Sequence, residues 1–275
     1  LIEGADVEYR IKVEPNVKIY VNDINPRGRK TILFIHGWPA NYKMFEYQYN
    51  KLVPLGYRCI GFDMRGFGNS DKPLTGYTYD RLADDLKIVI ETLGLRDITL
   101  SGHSTGGAVA IRYMARYKGY GVCKLALFAA AAPSLIRRPY FPYGQTEEAI
   151  QAIIQSTYAD RPLMLHNFGE MFFYQKVSQP FSDWFFQLGL QAASWSTIAI
   201  SKAWLVEELF SDLGKIHVPT LIMHGIHDQV VPYPLATAQN LGIKNSKLIT
   251  FENSGHGLFY DERDKFNSEL IQFVG

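Results

Sequence analysis

Cysteine is nearly absent: Cys59 and Cys123 are the only two in 275 residues. They form no CxxC pair and have no metal-ligand spacing. A disulfide scaffold and a thiolate metal site are therefore not expected, and both thiols read as reduced core residues, as suits a cytoplasmic location. An excess of charge is missing too. The 28 basic residues nearly cancel the 27 acidic ones, for a net charge of +1. Such a surface carries no electrostatic footprint for nucleic acid or an anionic membrane, so the expected partner is a small, largely uncharged molecule. No stretch reaches the ~18 apolar residues of a membrane-spanning helix; the longest run, residues 125–132, stops at Pro133. No signal-peptide pattern is legible from Leu1 onward. Internal repeats, low-complexity linkers, a GxGxxG fingerprint after the first parallel strand and a P-loop are all lacking. Oligomeric state is left open, with a homo-oligomer as one option.

What is present is an alternation of strand and helix patterns. Residues 7–13 and 17–21 alternate as two short strands around the turn Glu14-Pro15-Asn16. Continuous apolar runs at 31–35, 58–62, 98–101, 124–128, 220–223 and 247–251 have the texture of strands buried on both faces of a parallel sheet. Between them, residues 79–93 place Leu82, Leu86, Val89, Ile90 and Leu93 on one helical stripe and end before Gly94. Helices are also expected at 105–117, where Ala108, Ala110 and Ala115 leave one side small, and at 261–273, with acidic residues capping its start. This order predicts a doubly wound, mainly parallel sheet with helices on both faces.

The alternation breaks between residues 134 and 215. There the pattern is helical, and 15 of 82 residues are aromatic. The expected organisation is a core of residues 1–133 and 216–275, with 134–215 as a helical lid over the carboxyl edge of the sheet, where open α/β sheets bind ligands. Most of the aromatics should pack the lid on the core, and a few should line a pocket.

One segment carries the chemistry. The run that starts at Ile98 leads into Gly102-His103-Ser104-Thr105-Gly106, and a helix follows. This is GxSxG between a strand and a helix, the setting of a nucleophile on a sharp turn. Small neighbours at minus two and plus two are needed there, and Gly102 and Gly106 supply them. The helix N-terminus faces the serine, so the Thr105 N–H can stabilise an oxyanion. A serine hydroxyl needs a base. His256, between Gly255 and Gly257 after the last strand, is free to reach the sheet edge. The acid should lie at a strand end between them. Asp228 follows the 220–223 strand, whereas the other common position, 129–134, holds no carboxylate. The second oxyanion donor should follow strand 31–35. In His36-Gly37-Trp38-Pro39, Pro39 has no N–H to give, which leaves Trp38, whose indole would wall the pocket. His36 reads as structural, Leu258 as a substrate contact, and Asp63 with Arg65 as a loop-stabilising ion pair. His224, His227, Asp228 and His256 lack the spacing of a catalytic zinc motif, so neither metal nor cofactor is expected.

These motifs resemble the α/β-hydrolase superfamily. In particular they resemble its group of cofactor-free haloperoxidases (perhydrolases), arylesterases and γ-lactamases. The resemblance rests on the segments 36–39, 56–68, 102–107, 225–232 and 254–257; it is good over 31–133 and 216–275 and weak across the lid. It implies an eight-stranded α/β-hydrolase fold and hydrolysis of small carboxylic esters through a Ser104 acyl-enzyme. Perhydrolase or lactamase side activity is also implied, as in some members. The elbow departs from the Gly-Phe-Ser-Met-Gly frequent in that group by carrying His103 and Thr105, which bears on substrate range. Segments 36–39 and 66–73 are also similar to epoxide hydrolases and haloalkane dehalogenases, which attack with an aspartate; position 104 is serine. Competing readings are another serine hydrolase, such as a carbon–carbon bond hydrolase or amidase, and a hydrolase-fold receptor with slow turnover.

Overall fold

The computed structural model describes residues 6–275, so the reading made at Leu1 lies outside it. The strands are β1 (Val7–Glu14), β2 (Val17–Ile24), β3 (Thr31–Ile35), β4 (Arg58–Phe62), β5 (Ile98–His103), β6 (Val122–Phe128), β7 (Thr220–Gly225) and β8 (Ser246–Phe251). They form one eight-stranded sheet in the order β1-β2-β4-β3-β5-β6-β7-β8. β1, β2 and β4 pair antiparallel; every other pair is parallel. The mainly parallel, eight-stranded α/β sheet is thus the one expected. All six residues of β5 are buried, as a central strand covered on both faces requires.

The helices are α1 (Glu46–Leu52), α2 (Tyr79–Thr92), α3 (Thr105–Arg116), α4 (Glu147–Glu170), α5 (Gln179–Leu190), α6 (Ser194–Val206), α7 (Phe210–Leu213), α8 (Pro234–Gly242), α9 (Leu258–Asp261) and α10 (Arg263–Val274). α2 buries Leu82, Leu86, Val89 and Ile90 on its predicted stripe, and Thr78 caps it by accepting from Arg81 N at 3.2 Å. From α4 to α7 the chain adds no strand to the sheet. Aromatic contacts seat this insertion on the core: Phe181 stacks on Tyr260 at 3.8 Å between ring centroids, and Trp204 meets Trp38 edge-on at 4.9 Å.

Strand order is what positions the site. Successive parallel strands step outward from β3 in opposite directions, to β4 on one side and to β5 on the other. The loops leaving β3 and β5 therefore emerge side by side, at the switch point where such sheets hold ligands. Ile35 lies opposite Gly102 in that ladder, which brings the segment after Ile35 beside the segment after Gly102.

Three expectations change. Cys59 is buried, but Cys123 is exposed. Ile98 pairs with Val122 and Thr99 with Lys124, so Cys123 is the extra residue of a bulge and leaves the ladder. Asp63 and Arg65 do not pair. The Asp63 carboxylate accepts from the backbone N–H of Tyr42 and Asn69 at 2.9 and 2.7 Å, while the Arg65 fork grips Asp85 at 2.6 and 2.8 Å and reaches Glu14 at 2.8 Å. The helix expected over 261–273 is interrupted at Glu262 (φ −120°, ψ 53°), and its acidic residues do not cap it. Asp261 instead accepts from the backbone of Tyr174, Gln175 and Gly255, and Glu262 accepts from Asn253 N and Ser254 Oγ. These two carboxylates clamp the loop that carries His256.

Candidate active site

The turn from β5 to α3 is as sharp as its sequence requires. Ser104 has φ 54° and ψ −120°, a left-handed conformation costly for a residue with a Cβ, of order 1–3 kcal/mol. Added side-chain carbons at Gly102 and Gly106 would strike the backbone of Gly106 and of His36 respectively, so both glycines are steric necessities. Thr105, first residue of α3, has no helical acceptor for its N–H, and the Trp38 N–H has no backbone partner among the described residues. Both are free donors beside the serine.

Asp228 and His256 come together after β7 and β8. His256 Nδ1 and Asp228 Oδ2 lie 2.8 Å apart, with both side chains fully buried. The carboxylate is an acceptor, so Nδ1 carries the proton and Nε2 is left as the basic nitrogen. Nε2 is buried and makes no hydrogen bond among the described residues, so the hydroxyl–imidazole bond to Ser104 is not formed in this conformation. Hydrogen bonds of this kind often tighten only when substrate binds. His103 ties the two loops together: its Nε2 donates to the His256 backbone oxygen at 2.9 Å, and the two rings sit 4.5 Å apart. Burial first, then the neighbouring His256, holds the His103 imidazole well below the ordinary histidine value, hence neutral.

Ser104 opens on a cavity of about 190 Å³ whose walls include Trp38, Ile150, Phe168, Trp204 and Val230. The setting is apolar and partly closed, with Ser104 on its wall. This arrangement can support acyl transfer.

A family model for the alpha/beta hydrolase fold matches residues 30–138. The AB hydrolase superfamily protein YisY of Bacillus subtilis (strain 168) is 49% identical, over 96% of this chain and 97% of its own. The chain belongs to the α/β-hydrolase family. The bifunctional esterase/perhydrolase DCH of Acinetobacter calcoaceticus is 30% identical to this hydrolase, over 96% of this chain and 98% of its own. Among solved structures, the esterase EaEST from Exiguobacterium antarcticum matches with a TM-score of 0.95 at 44% identity, covering 98% of this chain and 99% of that one.

Several residues of this α/β-hydrolase site were not legible beforehand. His224, near the end of β7, lies 3.2 Å from Asp228 Oδ2, and its Nε2 donates to the Val231 carbonyl at 2.8 Å. Asp228 Oδ1 accepts the N–H groups of Val230 and Val231 at 2.8 and 2.7 Å. Burial alone would raise the Asp228 carboxyl. The facing His256 and His224 outweigh it and hold the group well below the usual carboxylate range. Trp204 donates to Thr105 Oγ1 at 3.1 Å, and Phe172 covers the His256 ring edge-on at 4.8 Å. Neither tryptophan nor phenylalanine at those positions carries a local motif, so no sequence signal could have assigned them.

Other expectations divide. Trp38 lines the cavity, with its indole N–H on the Thr197 carbonyl at 3.1 Å. Leu258 does not line it; as the first residue of α9 it is fully buried in the core, and Gln229 and Val230 occupy the wall instead. His227 stacks on Tyr174 at 3.8 Å, and among the described residues no group of three His, Cys, Asp or Glu side chains is arranged so that it could hold a metal ion. No helix among them is long and apolar enough to cross a membrane.

His36 is structural in this hydrolase. Its Nδ1 donates to Gly37 O at 2.9 Å and its Nε2 accepts from Met64 N at 3.0 Å. Burial lowers its pKa to about 4, against an unfolded value near 6.5. Between those values only the unfolded chain takes up the proton, so stability is lost as pH falls through that window. Asp63, pushed by burial to about 6, works in the opposite sense. Comparing wild type with His36→Gln in urea cancels the Asp63 contribution. Wild type should lose about 2 kcal/mol more than the variant between pH 7 and pH 5. Parallel pH profiles for the two proteins would contradict this.

Proposed function

We propose that this chain is a serine carboxylesterase that cleaves small carboxylic esters through a Ser104 acyl-enzyme. The observations that support the reading are the strained Ser104 on the wall of an apolar cavity and a buried imidazole whose Nδ1 is held by Asp228 and whose Nε2 is free. In the proposed mechanism, His256 Nε2 takes the Ser104 proton as Oγ attacks the ester carbonyl. The Trp38 and Thr105 N–H groups stabilise the oxyanion, and Asp228 supports the imidazolium. His256 then protonates the departing alcohol. Water, deprotonated by the same imidazole, releases the acid and restores Ser104. Residues 134–215 act as the lid over the core formed by 1–133 and 216–275, with no metal or cofactor in the scheme.

A second reading draws on the Acinetobacter relative, whose name includes perhydrolase. Hydrogen peroxide in place of water at the acyl-enzyme would give a peracid and free Ser104. One panel tests both: p-nitrophenyl esters of increasing acyl length, a lactam, and acetate with peroxide. Steady multiple turnover of short esters is the expected result. A single turnover that leaves a persistent covalent adduct would favour a hydrolase-fold receptor instead.

A further inference from the structure

A second space adjoins the cavity at Ser104 along the helical insertion. Ile153, Phe168 and Met171 wall the cavity on one side and also wall this second space, a more open groove of about 290 Å³. That groove exists because α4 is broken. Asp160 leaves helical geometry (φ −155°, ψ 86°) and Pro162 follows, so α4 is two arms, and both arms line the groove. On the first arm Ala152, Ser156 and Ala159, at helical spacing, keep one wall low. On the second, Leu163 remains 53% exposed, and Met171 beyond it remains 41% exposed, both large apolar side chains at the groove.

The geometry points to an ester with an extended, unbranched apolar limb, its carbonyl at Ser104 and its limb running past Ile153 and Met171 into the groove of α4. This names a substrate class for the proposed esterase and rests on that reading. The inner cavity alone is smaller than the ~300–1,000 Å³ typical of small-ligand sites, and the two spaces joined reach that range. A limb that leaves water for these walls gains with each methylene. Full burial corresponds to about fourfold in affinity per CH₂, and a half-open groove to roughly twofold.

Two measurements test it together. Calorimetry on Ser104→Ala with methyl ketones of five to nine carbons, unreactive mimics of the ester, should show affinity rising roughly two- to fourfold per carbon. Kinetics of the unaltered protein should show kcat/KM rising along p-nitrophenyl acyl esters or along n-alkyl acetates. Ser156→Trp, on an exposed position of the first arm, and Asn167→Trp, on the second, should each plug the groove. In either variant the preference for the longest over the shortest member should fall at least about tenfold. Flat ketone affinities, or long-to-short ratios untouched by both plugs, would overturn the groove. So would a plug that changed the oligomeric state, since the groove would then be a subunit contact. Rising ketone affinities without hydrolysis of any ester would keep the groove and remove the esterase reading; hydrolysis of acetate with flat affinities would do the reverse.

Discussion

Ser104→Ala should lower kcat for p-nitrophenyl acetate by at least about 10⁴-fold, equivalent to about 5.5 kcal/mol of lost transition-state stabilisation. The effect should be confined to chemistry. Ser104 contributes its backbone to the fold, accepting from Ala108 N and Ala131 N and donating to Phe128 O. Alanine keeps those bonds and the same Cβ, so the thermal midpoint should stay within a few degrees of wild type. The free donors at Trp38 and Thr105 remain in the variant, which is why residual catalysis above the uncatalysed rate is expected. Turnover by Ser104→Ala at the wild-type rate would sink the assignment of the nucleophile.

Asp228→Asn should lower kcat by a comparable factor, about 10⁴, the magnitude known when this carboxylate is neutralised in serine proteases. Here the local bonding fixes the outcome. Oδ1 accepts two backbone N–H groups, from Val230 and Val231, so the asparagine oxygen must occupy that position. Its amide nitrogen then faces His256 Nδ1 and the His224 N–H. A donor in that place requires Nδ1 of His256 to accept, which moves the proton to Nε2 and removes the base. The amide also meets His224 donor to donor, so a loss of about 1–3 kcal/mol in stability should accompany the kinetic defect. Proton NMR of the imidazole gives the tautomer directly. Loss of activity smaller than about tenfold, with the Nδ1–H tautomer retained, would show that the carboxylate does not set the state of the base.

The two histidines on either side of Asp228 illustrate the reach of sequence reading. His256 stood out because two glycines flank it after the last strand, a local feature. His224 ends a buried strand and looks like packing; its contact with Asp228 depends on how the loop from Gly225 to Val231 folds back. Asp63 and Arg65 show the opposite error. They are close in sequence and opposite in charge, yet each has a better partner elsewhere: backbone donors for Asp63, and for Arg65 a carboxylate on α2 that matches its planar fork. Proximity along the chain overstated their interaction because burial rewards complete hydrogen bonding over mere attraction.

What the sequence determined by itself is the sheet, the elbow and the order in which Ser104, Asp228 and His256 appear. Those follow from short-range rules: apolar runs bounded by turn residues, glycines where a Cβ would collide, a polar group at a strand end. Tertiary structure alone decided what surrounds them. The strand reversal at β3 sets Trp38 beside Ser104, the break in α4 opens the outer groove, the Cys123 bulge turns a thiol outward, and Leu258 packs inward where a substrate contact was expected. Each depends on which faces of distant segments meet, and that choice is made by packing and hydrogen-bond satisfaction across the whole fold, which no local window of residues contains.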